Sequence, residues 1–303
     1  MAMTTTQLGI LARVGVDKIV KNYAESVESL YPQFIGKTFN DNQSYFQVAQ
    51  VSDFGMANTV NETSGISFDT WRLIRSKTYA PIMRAIGYQV SEQAKETDLY
   101  NLAAQPVPNI MLAMDKTKEQ VAANVLNLGF NTAAANLGAD SKSLFATDHT
   151  QEIGSGRNKA SVATAFSISA LRAAITDLMN VDSEKGDPFP SMGPFKLIVP
   201  PDLSIYAQEV VTSTKMPGTP NNEKNIAGGM IEGVVTNPYL TSSTAWFLLP
   251  AKKAENPLFF LQRVGRKSRQ EYDIDHLIYK FAVFEEYIAS FLSWRGTWGT
   301  EGA

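Results

Sequence analysis

Residues 109–137 read NIMLAMDKTKEQVAANVLNLGFNTAAANL, and their pattern predicts one long helix. Pro106-Val107-Pro108 breaks any earlier helix, Asn109 offers an N-cap, and Gly138 stands where a C′ residue belongs. Ala122, Leu126, Phe130, Ala133 and Leu137 line one face at helical spacing. At 1.5 Å per residue such a helix is on the order of 40 Å long. It must lie across a domain or serve as its backbone, although Gly129 inside it costs about 1 kcal/mol relative to alanine.

Upstream of this helix the chain changes character twice. Residues 1 to 45 read as an arm, with a helix over 16–30 whose stripe is Val16, Ile19, Val20, Tyr23, Val27 and Leu30. Tyr31-Pro32 ends it, because proline disfavours helical geometry in the residue before it, and residues 36–44 are polar and extended. Residues 46–90 read as a long two-stranded hairpin with an irregular tip. Phe46, Val48 and Val51 alternate with polar residues, Asp53-Phe54-Gly55 supplies turn chemistry, and Ile66 to Trp71 again runs with period two. A lone hairpin is marginally stable in water, so this one is expected to rest on something else, another chain included.

Downstream, Ser169 is placed to cap a helix with Leu171, Ala174, Ile175, Leu178 and Met179 on one face. A strand over 195–199 leads through Pro200-Pro201-Asp202 into a second helix carrying Leu203, Tyr206, Ala207, Val210 and Val211. Residues 217–229 form a turn-rich loop. Strands follow over 230–235, 245–249 and 258–262, and a last period-two stretch contains Leu277, Tyr279, Phe281 and Val283. Strands around isolated helices, without a regular βαβ repeat, give an α+β fold class.

The 303 residues are 44% hydrophobic, which suits one large or two smaller domains with a sizeable core. There is no cysteine, so disulfides, thiolate metal sites and cysteine nucleophiles are excluded. A net charge of −3 argues against a dedicated nucleic-acid binder, which needs surplus cations to neutralise phosphates. The start, MAMTTTQLGILARVGV, lacks a signal-peptide layout, and no apolar run approaches the ~20 residues that span a bilayer. A soluble chain is expected.

Catalytic chemistry has few candidates. Histidine occurs only at His149 and His276. Asp148-His149 invites a triad or metal reading, yet no GxSxG elbow or HExxH motif occurs. The alternative is a loop histidine bonded to backbone. Asp273, Asp275 and His276 do not converge if the segment is a strand, and a charged edge strand explains them better. Gly154-Ser155-Gly156-Arg157 and Gly228-Gly229 lack phosphate-loop spacing and read as turns. Arg263, Arg266, Lys267 and Arg269 suit either a contact to phosphate or a neighbouring subunit, or a solvated hairpin tip; the acidic residues that follow favour the tip over DNA. No catalytic, cofactor or metal site is expected. Phe54, Met56, Phe68 and Trp71 are different. On a projecting hairpin they mark a partner surface, unless they pack between its strands.

The order of these pieces resembles that of tailed-bacteriophage major capsid proteins of the Hong Kong 97-type fold, particularly the Mu-type major head subunit group. The matching stretches run from Phe54-Gly55-Met56-Ala57 and Phe68-Asp69, through Gly87-Tyr88-Gln89-Val90-Ser91, Asp98-Leu99-Tyr100 and Ala122-Ala123-Asn124-Val125-Leu126-Asn127, to Ser143-Leu144-Phe145-Ala146-Thr147-Asp148-His149. They continue with Leu197-Ile198-Val199-Pro200-Pro201-Asp202-Leu203, Asn237-Pro238-Tyr239-Leu240, Ala245-Trp246-Phe247-Leu248 and Trp294-Arg295-Gly296. The resemblance implies an N-terminal arm at 1–45, an extended β-hairpin loop at 46–90, a peripheral domain with a long spine helix at 91–195, an axial domain at 196–262, and return strands of the peripheral domain at 263–303. It implies a non-enzymatic subunit of hexamers and pentamers that encloses double-stranded DNA in an icosahedral virion shell, without sequence-specific binding or a membrane. Assembly in the host bacterial cytoplasm is expected, with a portal and, since no charged helical extension precedes the arm, a separate scaffolding protein. An encapsulin-like shell of the same fold is the alternative, and a hydrolase using Asp148 and His149 the rival from another class.

Overall fold

The computed structural model describes residues 29–60, 65, 66, 68–97, 106–189, 193–215 and 224–303. The arm helix expected over 16–30 lies almost wholly outside them. Among the described residues no helix is long and apolar enough to cross a membrane.

The helix that decides the fold is shorter than its pattern suggests. It spans Pro106–Asn127 (α2), 22 residues or about 33 Å, so Pro106 opens it instead of preceding it. Proline suits that first position, where its missing N–H has no partner to lose. The expected continuation to Leu137 fails at Gly129. A Cβ there would sit 2.6 Å from the Phe145 ring, and the chain turns while Ala133 is left exposed.

Two four-stranded sheets organise the rest. The first has the order β1 (Lys37–Asn40), β10 (Leu258–Asp273), β11 (Ile278–Phe291), β4 (Ile82–Ser91). Its long strands β10 and β11 form one antiparallel hairpin, with register shifts between Gln262 and Lys267. Helix α2 lies across this sheet in three zones. Val107, Ile110, Met111 and Met114 pack against Phe281 and Val283. Ala122 and Leu126 enter a larger cluster with Phe260, Tyr287 and Phe291. Between the two apolar zones runs a charged belt. Lys118 meets the fully buried Glu285 at 2.7 Å, and Arg266 bridges Glu285 to Asp115 on the helix. Glu119 accepts hydrogen bonds from the N–H groups of Leu30 and Tyr31, both 2.9 Å. Burial pushes the Glu119 carboxyl up, against the pull of those two amides.

The second sheet runs β12 (Trp298–Thr300), β9 (Trp246–Pro250), β7 (Phe195–Val199), β8 (Ile231–Thr236). It is buried on both faces, which explains why its strands read as apolar runs. Phe195, Leu197, Val199, Trp246 and Leu248 face a core with Leu171, Ile175, Leu178 and Val210 of helices α3 (Ile168–Met179) and α4 (Pro201–Thr212). Ile198, Phe247 and Leu249 face the core shared with α2. The cap of α3 is Ser167, whose hydroxyl accepts from the Ala170 N–H at 3.2 Å; Ser169, the expected cap, lies inside the helix.

A separate two-stranded ladder pairs β2 (Phe46–Val51) with β3 (Leu73–Tyr79), Phe46 opposite Tyr79. The period-two stretch Ile66 to Trp71 is not the return strand. That role falls to Leu73–Tyr79, because Ser52 closes the ladder below the loop. Its hydroxyl donates to Thr70 O and accepts from Arg72 N–H at 3.1 and 3.0 Å. After Pro81, β4 leaves the hairpin for the first sheet, and the short helix α1 (Glu92–Glu96) follows, capped by Ser91. A small ladder, β5 (His149–Thr150) with β6 (Ser155–Gly156), completes the described strands.

Candidate subunit-contact surface

Beyond Ser52, residues of the 52–72 loop that were singled out from sequence all face solvent. Phe54 is 64%, Met56 72%, Phe68 91% and Trp71 67% exposed. No ring contact among the described residues joins Phe54, Phe68 and Trp71, so they do not pack between the hairpin strands. Val60, Ile66 and Leu73, half or more exposed, extend the surface. The period-two spacing around Ile66 predicts a strand, and nothing in it signals that no partner strand lies beside it among the described residues.

An apolar loop in water needs an anchor, and here the anchor is ionic. Arg72 pairs with Glu152 at 2.7 Å, and Lys185 with Asp69 at 3.2 Å. Asp69 also accepts from the N–H groups of Gly55 and Thr70, which, before Lys185, hold its carboxyl below the usual range. Deeper in, Glu184 lies between Arg75 at 3.0 Å and Arg295 at 2.9 Å. Burial pushes that carboxyl up, but Arg295 and Arg75 together outweigh burial and hold it below its ordinary value.

The sequence-level chemical candidates separate. His149 is fully buried, with Nδ1 2.6 Å from Asp140 Oδ2, Nε2 3.0 Å from Asn158 Oδ1, and its ring stacked on Trp294 at 4.3 Å. Its partners are side chains, not backbone. Asp148 points elsewhere, to Lys142, whose ammonium holds the carboxyl below its usual range. The Asp148–His149 pair therefore makes no dyad. Asp275 and His276 sit in the turn between β10 and β11 instead of on an edge strand. Lys280 foremost, then His276, holds Asp273 down to about 2. Arg263 and Arg266 are not at a solvated tip either. Arg263 forks onto Glu286 at 2.7 and 2.8 Å, and Arg266 belongs to the charged belt.

Clefts among the described residues include one of about 540 Å³ beside Lys142, Asp148 and Lys159 and one of about 310 Å³ beside Leu126, Leu240 and Phe247. The cations of the larger one are paired, Lys142 to Asp148 and Lys159 to Glu301. Among the described residues no group of three or more acidic or imidazole side chains could hold a metal ion.

A sequence profile of the family described as phage capsid protein matches residues 75–298. No curated protein sequence matches the chain. Among solved structures, the capsid of the cyanophage P-SCSP1u is similar at a TM-score of 0.60 and 9% identity, covering 91% of this chain and 88% of that one. The procapsid of bacteriophage JBD30 gives 0.52 and 13%, covering 98% and 75%. A virus-like particle from Pyrococcus furiosus gives 0.53 and 12%, covering 93% and 95%. At such identities the likeness is one of fold. The shared architecture is the α+β capsid fold of Hong Kong 97 type.

Proposed function

The chain belongs to the phage capsid protein family, a structural subunit of a tailed-phage shell, and from that premise we propose the form its assembly takes. Many copies associate as hexamers and pentamers into an icosahedral head around double-stranded DNA, assembled in the bacterial cytoplasm with a scaffolding protein and a portal. The division into arm, loop, peripheral and axial regions at residues 45, 90, 195 and 262 belongs to the same proposal. So does the absence of enzymatic activity, which agrees with a His149 locked among its own neighbours.

The observation that carries this reading is the exposure of Phe54, Met56, Phe68 and Trp71 on an ionically anchored loop. Large apolar side chains exposed together on one loop point to a partner site, and in a shell the partner at hand is a sister subunit. Many modest contacts, each engaged at high effective concentration, then close the particle without any single strong one. DNA inside is confined, not gripped: Arg263 and Arg266 spend their charge on carboxylates of the same chain.

Electron microscopy of purified protein, alone and co-expressed with scaffold, is expected to show shells or capsomer rings. A compact monomer under every condition overturns the reading. An encapsulin-like shell is the second reading, supported by the likeness to the Pyrococcus furiosus particle over nearly both whole chains. Particles from the native source separate the two by content, nucleic acid against protein cargo.

A further inference from the structure

Sheet edges expose unpaired backbone groups, and folded chains guard them with short strands, charges or covering segments. Three of the four edges in the two large sheets follow this rule. β1 has four residues and opens with Lys37, β8 displays Glu232, and β12 has three residues, all buried. Among the described residues, the fourth edge, β4, has no such guard. It is ten residues long, pairs with β11 without a register break from Ile82 to Ser91, and contains no proline. Ile82 is 55%, Met83 60% and Ile86 39% exposed, and Ala85, Gly87, Gln89 and Ser91 are open as well. Its single charge, Arg84, turns inward, 4.6 Å above the Tyr287 ring and bonded to the Tyr287 carbonyl.

We infer that the outer edge of β4 pairs, antiparallel, with β4 of a second copy of this chain across a two-fold axis. The inference rests on the shell reading, which supplies sister copies at contact density. Charge decides among occupants. A phosphate backbone would find no outward cation on this strand, whereas a two-fold contact sets the same residues on both sides. A row without charge meets its own image with no like-charge opposition. Joining the edges turns two four-stranded sheets into one eight-stranded sheet that runs across a subunit boundary and leaves neither β4 edge bare.

The chain has no cysteine, so single substitutions report on this contact directly. Met83→Cys, Ala85→Cys, Ile86→Cys and Gln89→Cys change exposed positions and leave the fold in place. After mild oxidation of assembled shells, non-reducing gels are expected to show a homodimer strongest at one position, fading on either side of it, because a disulfide needs Cβ atoms within about 4.5 Å. Backbone amides of β4 are expected to exchange at least tenfold more slowly in shells than in free subunits. Shells in which no position links to itself above the free-subunit level overturn the inference and leave the shell reading intact. Slowed β4 amides without self-linking also overturn it, since another segment then occupies the edge. If the unsubstituted chain forms no shells under any condition, both readings fall together.

Discussion

Gly129 has the ring carbons of Phe145 2.6 and 2.7 Å from where a Cβ would stand, and Phe145 is itself locked among Phe130 and Phe247. Gly129→Ala must displace a buried ring and is expected to destabilise the chain by about 1–3 kcal/mol, read as a lower denaturant midpoint. His149→Ala acts through a different cause. It leaves Asp140 Oδ2 buried without its imidazole partner, a loss of about 1–3 kcal/mol, and any assembly defect should scale with that loss. Glu184 gives a pH signature. Its native carboxyl titrates below the ordinary glutamate range, so its stabilisation is complete above that range and is lost as pH falls toward the native value. The Tm gap between the chain and its Glu184→Gln variant should stay constant from about pH 8 to about pH 5 and narrow below it. A gap that widens on acidification would contradict the ion-pair assignment. None of these residues announced its role in sequence, because Asp140, Asn158 and Trp294 reach His149 only through the fold.

At the scale of elements, periodicity located helices and strands well and their ends poorly. The strand Phe195–Val199 and the helix opened by Pro200-Pro201 were legible because apolar spacing and a proline-led start agree. The end of α2 was not, since Ala133 to Leu137 have good helical propensity and the obstacle, Phe145, comes from downstream. The segment Ile66 to Trp71 fails the other way. It has strand alternation with no strand beside it among the described residues of its own chain. That is the property expected of a contact loop, and it motivates Trp71→Asp. This variant is expected to assemble poorly while its circular dichroism and melting stay unchanged; normal shells would remove Trp71 from the contact.

For the whole molecule, the α+β order of hairpin, long helix and later strands could be read before any coordinates, because each depends on local pattern. Assembly could not, as the surfaces that meet lie on different chains. The charged belt under α2 bears on how such a subunit carries load. Apolar side chains alone let a helix creep along a sheet, trading one greasy contact for the next. Slipping α2 by one turn, about 5.4 Å, would instead strand the buried Glu285 from Lys118 and part Arg266 from Asp115. The belt therefore favours one register of the helix on its sheet, the one in which Lys118–Glu285 and Arg266–Asp115 both close.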